Sequence, residues 1–495
     1  MSPYWILVVI LLPMITGALL PILDFKEEED RGKRQLFVAI PVILNTILVY
    51  ALILHKPVGD LTLVHLTKDL SISFRMDGLS AVFAGLVAGL WPLSTCYAFE
   101  YIRHEGKENK FFAFYTMTYG VTLGIALSAN VVTMYLFYEL LTLATVPLVM
   151  HAMDKRSIRA GLKYLAYSIG GAAIAFTGVM ILMNSGDPSM TFYYGGSVTE
   201  SAYLANPTLV QVGYLLCFFG FGVKAAIFPF HEWLPAVSVA PTPVTALLHA
   251  VAVVKAGAFA ILRITFYSFG PGILLGTPAQ GIAMAFAMIT IVFGSVMALK
   301  EQHFKRRLAY STVSNLSYII FGATLMTPYG FLGALCHMLF HGIMKITLFF
   351  CAGSVLVQTG REYVHELEGL GRKMKLTFFA FTVGSLALVG LPLLCGFISK
   401  WKLGTAAASA GTTFAFVGIL ALLISAVLTC GYTMPIVIRA YLPREGLDES
   451  QNETAKDPGL YMTVPVLILC AAMLYFGMHS GPICDALFAV AAGLI

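Results

Sequence analysis

The chain has 495 residues, of which 58% are hydrophobic and only 12% charged, with a formal net charge of +5. An ordinary globular domain carries about 25% charged residues, so this composition excludes most soluble classes. Its repeated apolar runs of about 20 residues are long enough to cross a bilayer as helices, and the short alternating segments of a membrane β-barrel are absent.

In chain order these runs predict about fourteen spans, at 4–23, 36–54, 78–101, 112–129, 131–150, 162–184, 208–228, 242–267, 279–299, 308–326, 330–359, 376–398, 411–438 and 459–478. Backbone polar groups in lipid must be satisfied within a segment, so each run reads as a helix and the fold class as all-α integral membrane. The first run lacks a basic leader and a small-residue cleavage pattern, and reads as a retained span. Ala129-Asn130 and Thr327-Pro328-Tyr329 form the tightest turns, and the longest polar loop falls at 441–458.

The loop charges test that count. If fourteen spans alternate, one set of loops holds Lys26, Arg31, Lys33, Arg34, Arg103, Lys107, Lys110, Lys155, Arg156, Arg159, Lys300, Lys305, Arg306, Arg307, Arg361, Arg372, Lys373, Lys375, Arg439, Arg444 and Lys456. The opposite set holds only Lys56, Lys68 and Arg75. An error of one span would mix the two sets. The positive-inside rule therefore predicts a cytoplasmic basic face, with both termini outside. The run Lys305-Arg306-Arg307 reads as part of a cytoplasmic loop.

The remaining basic residues lie within or at the edge of apolar spans: Lys163, Lys224, Lys255, Arg263, Lys345, Lys400 and Lys402. A lysine at mid-span costs about 2.5–3.5 kcal/mol on insertion scales, so such groups face a partner or a hydrated interior. Glu139 sits near the centre of the fifth run, in LFYELLTLATVPL. Lys224 precedes Pro229 and Pro235, which break or bend a helix. Lys255 follows His249 by six positions, about 240° around a helix, so the two share a face only if the helix unwinds. His337, His341 and Lys345 stand at i, i+4 and i+8 on one stripe. Lys400 follows Pro392 and Gly396, which could interrupt the twelfth helix.

These groups suit a proton relay. Burial favours a neutral amine and a nearby carboxylate favours a charged one, so a Glu139–Lys224 pair would switch the lysine as it opens and closes. At an effective dielectric near 20, a pair at 4 Å is worth about 4 kcal/mol, comparable with about 2.3 kcal/mol per charge per 100 mV of membrane potential. Simpler readings stand beside this one. Glu139 could be a structural ion pair, His231 and His249 packing residues, and Lys163 and Arg263 snorkelling groups at span edges.

Other patterns carry no chemistry. Gly220-Phe221-Gly222 with Ala225 fits a dinucleotide fingerprint without its preceding strand, and His231-Glu232 lacks the second histidine of a zinc protease. The eight cysteines are scattered without CxxC spacing, and no metal or cofactor site is predicted.

The segments FRMDGLSAVFA (74–84), YELLTLATVPL (138–148), KAAIFPFHEWLPAVSVAPTPVTALLHA (224–250), FKRRLAYSTVSNLSY (304–318), HMLFHGIMKITLFFCAGSV (337–355) and LPLLCGFISK (391–400) together resemble one family. It is the antiporter-like subunit family of respiratory complex I, membrane-bound hydrogenases and Mrp-type Na+/H+ antiporters. The resemblance implies a three-span segment at 1–110, two inverted five-helix repeats at 111–267 and 279–438, broken helices near spans 7 and 12, and a C-terminal span at 459–495. It implies ion translocation through Glu139, Lys224, Lys255, His337, His341 and Lys400, with Lys163, His249 and Lys345 as accessory groups. The expected partners are other membrane subunits, homologous antiporter-like subunits among them, in a prokaryotic cell membrane. The transported ion is H+, with Na+ as a second candidate. Two other classes compete with this reading: a stand-alone transporter of a small organic solute, with a polar midplane cavity, and a haem- or quinone-bearing redox subunit using His337 and His341.

Overall fold

A computed structural model describes residues 2–23, 25–26, 28–444 and 452–494. Both chain ends, Met1 and Ile495, and residues 445–451 of the expected 441–458 loop lie outside the described residues. The helices in order are α1 (Tyr4–Leu23), α2 (Arg31–Leu54), α3 (Gly78–Tyr101), α4 (Glu108–Ala126), α5 (Val131–Val149), α6 (Lys155–Ser185), α7 (Glu200–Ala205), α8 (Pro207–Gly222), α9 (Trp233–Ala236) and α10 (Thr242–Ala250). They continue as α11 (Val253–Arg263), α12 (Pro271–Leu274), α13 (Pro278–Lys300), α14 (Phe304–Thr324), α15 (Pro328–Thr359), α16 (Lys375–Val389), α17 (Cys395–Ala410), α18 (Thr413–Tyr441), α19 (Leu460–Met478) and α20 (Gly481–Ala491).

By length and composition, ten helical stretches among the described residues are apolar enough to cross a membrane. Their outward faces stay apolar: Ile43 is 52% exposed, Leu143 64%, Leu420 57% and Val427 73%. Water would not tolerate so much exposed aliphatic surface, whereas lipid or a partner helix would. The interior is also largely apolar, but lysine, histidine, serine and threonine side chains are buried within it.

Side-chain caps fix the helix starts. Asn130 accepts from the Thr133 N–H at 2.8 Å, Asp154 from Ser157 N–H at 2.7 Å and Thr327 from Gly330 N–H at 3.1 Å. Close approach of α6 to α8 depends on small residues: a Cβ at Gly220 would lie 2.3 Å from the Ala175 nitrogen, and one at Gly178 2.7 Å from the Gly213 carbonyl oxygen.

Several expectations need correction. The described residues are not wholly helical. Between α2 and α3 lies an antiparallel hairpin, β1 (Leu61–His65) with β2 (Ser71–Phe74), pairing Leu61 with Phe74 and His65 with Ser71. Its alternating, β-branched sequence was hidden in a short segment outside the apolar runs. The eighth run divides into α10 and α11 with a break at Val251–Ala252, then ends in a π-helix, Ile264–Phe269. The expected helix at 376–398 ends at Val389, and Lys400 lies on the separate helix α17. The break falls at Gly390, at φ +99°, before Pro392; Gly396 lies inside α17, where a Cβ would sit 1.9 Å from the Ala387 carbonyl oxygen. Helix α20 follows the last expected span.

The segments between helices gather at two ends. At one end Arg34 bonds Glu108 and Asn109, His151 meets the Gly106 carbonyl at 3.0 Å, His303 bridges Tyr363, the Gly369 N–H reaches the Arg439 carbonyl at 3.0 Å, and the Gly459 N–H reaches Glu100 at 2.7 Å. At the other, the hairpin bridges Ser128, and Arg75 donates to the Phe192 carbonyl at 3.1 Å.

Candidate functional site

Lys224 stands two residues beyond the C-terminus of α8, where the chain leaves helical geometry and Ala226 takes φ +56°. The amine, fully buried, lies 3.8 Å from Glu139 Oε1, donates to the Tyr138 carbonyl and sits 3.5 Å from the centre of the Tyr138 ring. Glu139 itself is 30% exposed, on the side of α5 that carries the outward-facing Leu136 and Leu143. The pair thus spans from the interior to the rim of the chain.

Helix α11 carries the next buried lysine. Gly257 lets the Lys224 segment pack directly on it, since a Cβ there would lie 2.5 Å from the Ala225 nitrogen and 3.1 Å from the Lys224 Cβ. Lys255 on α11 points to α15, where its Nζ meets His341 Nδ1 at 3.0 Å. The stripe expected on α15 is real in space. The His341 and His337 rings stack with centroids 5.5 Å apart, and His337 Nδ1 meets Ser399 Oγ at 2.9 Å. Tyr318 of α14 stacks on His337 at 5.0 Å and offers its face to Lys400 Nζ at 5.4 Å. Lys400 donates to the carbonyls of Leu388 and Val389 at 2.6 and 3.0 Å, both freed by the end of α16.

A branch leaves this line at His341, one turn before Lys345 on α15. Lys345 donates to Ser311 and to the Leu308 carbonyl at 2.9 Å. His249, at the end of α10, packs on Phe349 with ring centroids 4.8 Å apart. Neither of its ring nitrogens has a hydrogen-bond partner among the described residues. The unwinding at Val251–Ala252 is what allows His249 and Lys255, six positions apart, to serve one interior.

Sequence reasoning missed Tyr318, Ser399 and Ser311, which give no signal in an apolar helix rich in such residues. It also misread two features. Arg263 does not snorkel: it is fully buried, donates to Asp77 Oδ2 and Oδ1 at 2.6 and 2.8 Å and to Ser80 at 2.7 Å. A guanidinium fits this bidentate geometry and stays charged when buried. Burial pushes the Asp77 carboxyl up, but the Arg263 charge and the Arg263 and Ser80 hydrogen bonds outweigh it and hold it below its ordinary range. Lys305-Arg306-Arg307 is not an exposed loop either. It opens α14, with Lys305 on the Ala240 carbonyl at 3.2 Å and Arg307 on the Glu301 and Tyr432 carbonyls at 2.8 and 3.0 Å. Carbonyl acceptors are needed there, because cations at a helix N-terminus oppose its dipole. Lys163 meets Glu232 at 2.9 Å at the edge of its span. His231 packs against Phe293, with ring centroids 4.6 Å apart. No three His, Cys, Asp or Glu side chains cluster as a metal set among the described residues.

Two family patterns match the chain. That of the NADH:quinone oxidoreductase/Mrp antiporter transmembrane family covers residues 128–429, and that of the complex I NADH-ubiquinone oxidoreductase chain 5 N-terminus covers 65–112. The NADH-quinone oxidoreductase subunit N of Desulforudis audaxviator (strain MP104C) is 31% identical over 430 residues, 83% of this chain and 82% of that protein. A probable K(+)/H(+) antiporter subunit of Rhizobium meliloti (strain 1021) is 32% identical over 333 residues; the match takes in 67% of this chain but only 32% of that longer protein. A chain of the membrane-bound sulfane sulfur reductase, an archaeal respiratory membrane complex, has the same fold, with a TM-score of 0.84 at 23% identity over 98% of this chain and 97% of that one. This is a mostly helical, multi-pass membrane protein, and it belongs to the NADH:quinone oxidoreductase/Mrp antiporter transmembrane family.

Proposed function

We propose that the chain is a proton-translocating membrane subunit of a multi-subunit complex, with Na+/H+ exchange as its other candidate activity. Protons would pass along Glu139, Lys224, Lys255, His341, His337 and Lys400, with Lys345 and His249 as a side branch and Lys163 at the rim. One observation carries this reading: Lys255, His341, His337, Ser399, Tyr318 and Lys400 form an unbroken series of contacts from the buried interior to the half-buried Lys400. Buried ionisable groups at membrane depth mark ion pathways. The names of the two relatives, one from an oxidoreductase and one from an antiporter, agree with a partner-driven ion path.

The proposed organisation has fourteen spans with two inverted five-helix repeats, α4–α11 at 111–267 and α13–α18 at 279–438. It is flanked by a three-span segment at 1–110 and a C-terminal segment at 459–495. A paired arrangement supports it. In each half a helix break places a lysine over a tyrosine: Lys224 over Tyr138 at 3.5 Å, and Lys400 over Tyr318 at 5.4 Å. Broken helices in corresponding halves are how inverted-repeat transporters build an ion site. The gathering of the basic segments at one end supports a cytoplasmic basic face with both termini outside.

A solute transporter would need a polar midplane cavity, and here the buried polar groups form a line instead. A haem site is disfavoured because His337 and His341 stand one turn apart on one helix with their rings stacked, centroids 5.5 Å apart, which leaves no room for a haem plane between them. The decisive experiment reconstitutes the assembled complex in sealed vesicles and follows internal pH under an imposed driving force. Proton movement that needs this chain supports the proposal, and a complex that moves protons equally well without it overturns it.

A further inference from the structure

At the end of the molecule that gathers the basic segments, α6, α9 and the start of α14 line an open cavity of about 290 Å³. Arg156, Arg159 and Lys163 enter it from one stripe of α6, Arg306 and His303 from the start of α14, and Ser238 from the 3-10 turn after α9. No carboxylate lines it among the described residues. The nearby acids are otherwise engaged: Asp154 caps α6, Glu232 holds Lys163 at 2.9 Å, Glu301 meets Arg306 at 3.7 Å and Glu362 meets His303 at 3.7 Å.

Three buried polar atoms at this cavity have no protein partner among the described residues: Ser238 Oγ, Arg306 Nε and His303 Nδ1. Ser238 is 1% exposed. An unsatisfied buried polar atom costs about 1–3 kcal/mol, and a cluster of such groups under four cations is the chemistry of an oxyanion receptor. Guanidinium forks match a phosphate in particular.

We propose that this cavity binds a phosphate group, supplied by the headgroup of an anionic phospholipid. The lipid source is argued from the surface beside it. From the cavity rim an outward apolar stripe runs along α6 through Leu162, Ile169 and Phe176, which are 55%, 55% and 48% exposed. Acyl chains laid on that stripe would bring their headgroup to Arg159 and Arg156, as basic pockets between membrane helices do on the cytoplasmic side. The floor of the cavity is the 233–239 segment that links the Lys224 break to α10, so an occupant would brace the segment between two groups of the proposed path.

The test delipidates the assembled complex and adds back phosphatidylglycerol, phosphatidylcholine or inorganic phosphate, counting bound lipid by native mass spectrometry and bound phosphate by isotope retention. The parent is expected to retain phosphatidylglycerol over phosphatidylcholine. The double variant Arg156→Gln with Arg159→Gln should bind it about tenfold more weakly, as loss of charge-assisted contacts implies. Arg156→Lys with Arg159→Lys keeps the charge and should keep most of the binding, which separates a lost site from a damaged fold. Retention of inorganic phosphate without phosphatidylglycerol would leave a phosphate site and overturn its lipid source. Equal lipid retention by parent and double Gln variant, or no retention of either phosphate probe, would overturn the site itself.

Discussion

Lys255 Nζ and His341 Nδ1, 86 residues apart in the chain, meet at 3.0 Å in an interior where both residues are fully buried. A histidine nitrogen accepts from this amine only while its own lone pair is free. The contact therefore couples the proton on one group to the proton on the other.

That coupling predicts a double-mutant result. Lys255→Ala and His341→Ala should each cut proton flux by about tenfold or more, the scale of lost proton-transfer catalysis. The double variant should lose little beyond the worse single one, because contacting residues are not additive. Flux measured in sealed vesicles with the assembled complex decides it. Losses that multiply independently would mean that the two groups serve separate routes.

At Glu139 and Lys224 the expected loss is of switching rather than of structure. Glu139→Gln and Lys224→Ala should each stop ion movement while the complex still assembles. The carboxylate is only 3.8 Å from the amine, and at an effective dielectric near 20 such a pair is worth about 4 kcal/mol. Normal pumping by either assembled variant would remove the pair from the path.

How far could the sequence be read? Runs of apolar residues announce helices because lipid demands internal hydrogen bonding, and the His337/His341/Lys345 spacing is a property of helical pitch alone. Both are local. The partners of Arg263 and Lys400 are not: Asp77 lies 186 positions from Arg263, and the carbonyls that hold Lys400 exist only because α16 stops at Val389. Small alternating strands such as β1 and β2 leave no trace against so apolar a background. Tyr318 and Ser399 became visible only once three helices were set side by side.

Two ends of the molecule make a topological prediction. Single cysteines introduced at Glu301 and Glu362 should react with a membrane-impermeant reagent from the cytoplasmic side, and one at Lys68, in the hairpin turn, from the opposite side. The hydrogen bond from the Phe304 N–H to the Glu362 carbonyl, at 2.8 Å, already requires the first two segments to share a side. Labelling of all three positions from one side would refute the proposed span count.

Acid should act through Asp77. Its carboxyl is held below its ordinary value, so the folded state binds its proton less readily than the unfolded chain does. The pair with Arg263 therefore stabilises fully above the unfolded carboxylate pKa, about 3.9, and that contribution fades as pH falls through the lower folded value. Breaking a buried pair costs about 3–5 kcal/mol, so Asp77→Asn should lower the thermal midpoint of the solubilised complex near neutral pH. The gap from the parent should close toward strongly acid pH. A gap unchanged across that range would show that Asp77 acts only as the cap of α3, where it accepts from the Ser80 N–H at 2.8 Å.

Lys400 has two possible roles, and one substitution separates them. Its amine donates to the Leu388 and Val389 carbonyls at 2.6 and 3.0 Å, so it serves as a cation at the C-terminal end of α16, which favours the helix dipole. A purely structural lysine would do no more than this. A lysine on the proton path must also give up its proton, and the Tyr318 ring face at 5.4 Å favours the charged form that it leaves. Lys400→Met removes both roles and cannot distinguish them. Lys400→Arg keeps the positive charge and the donors to both carbonyls, but a guanidinium does not deprotonate in a protein. The Arg variant should therefore assemble with near-parental thermal stability and lose proton flux almost as fully as the Met variant. Parental flux in assembled Lys400→Arg, measured in the same sealed vesicles, would reduce Lys400 to a helix-terminal anchor and end the path at His337.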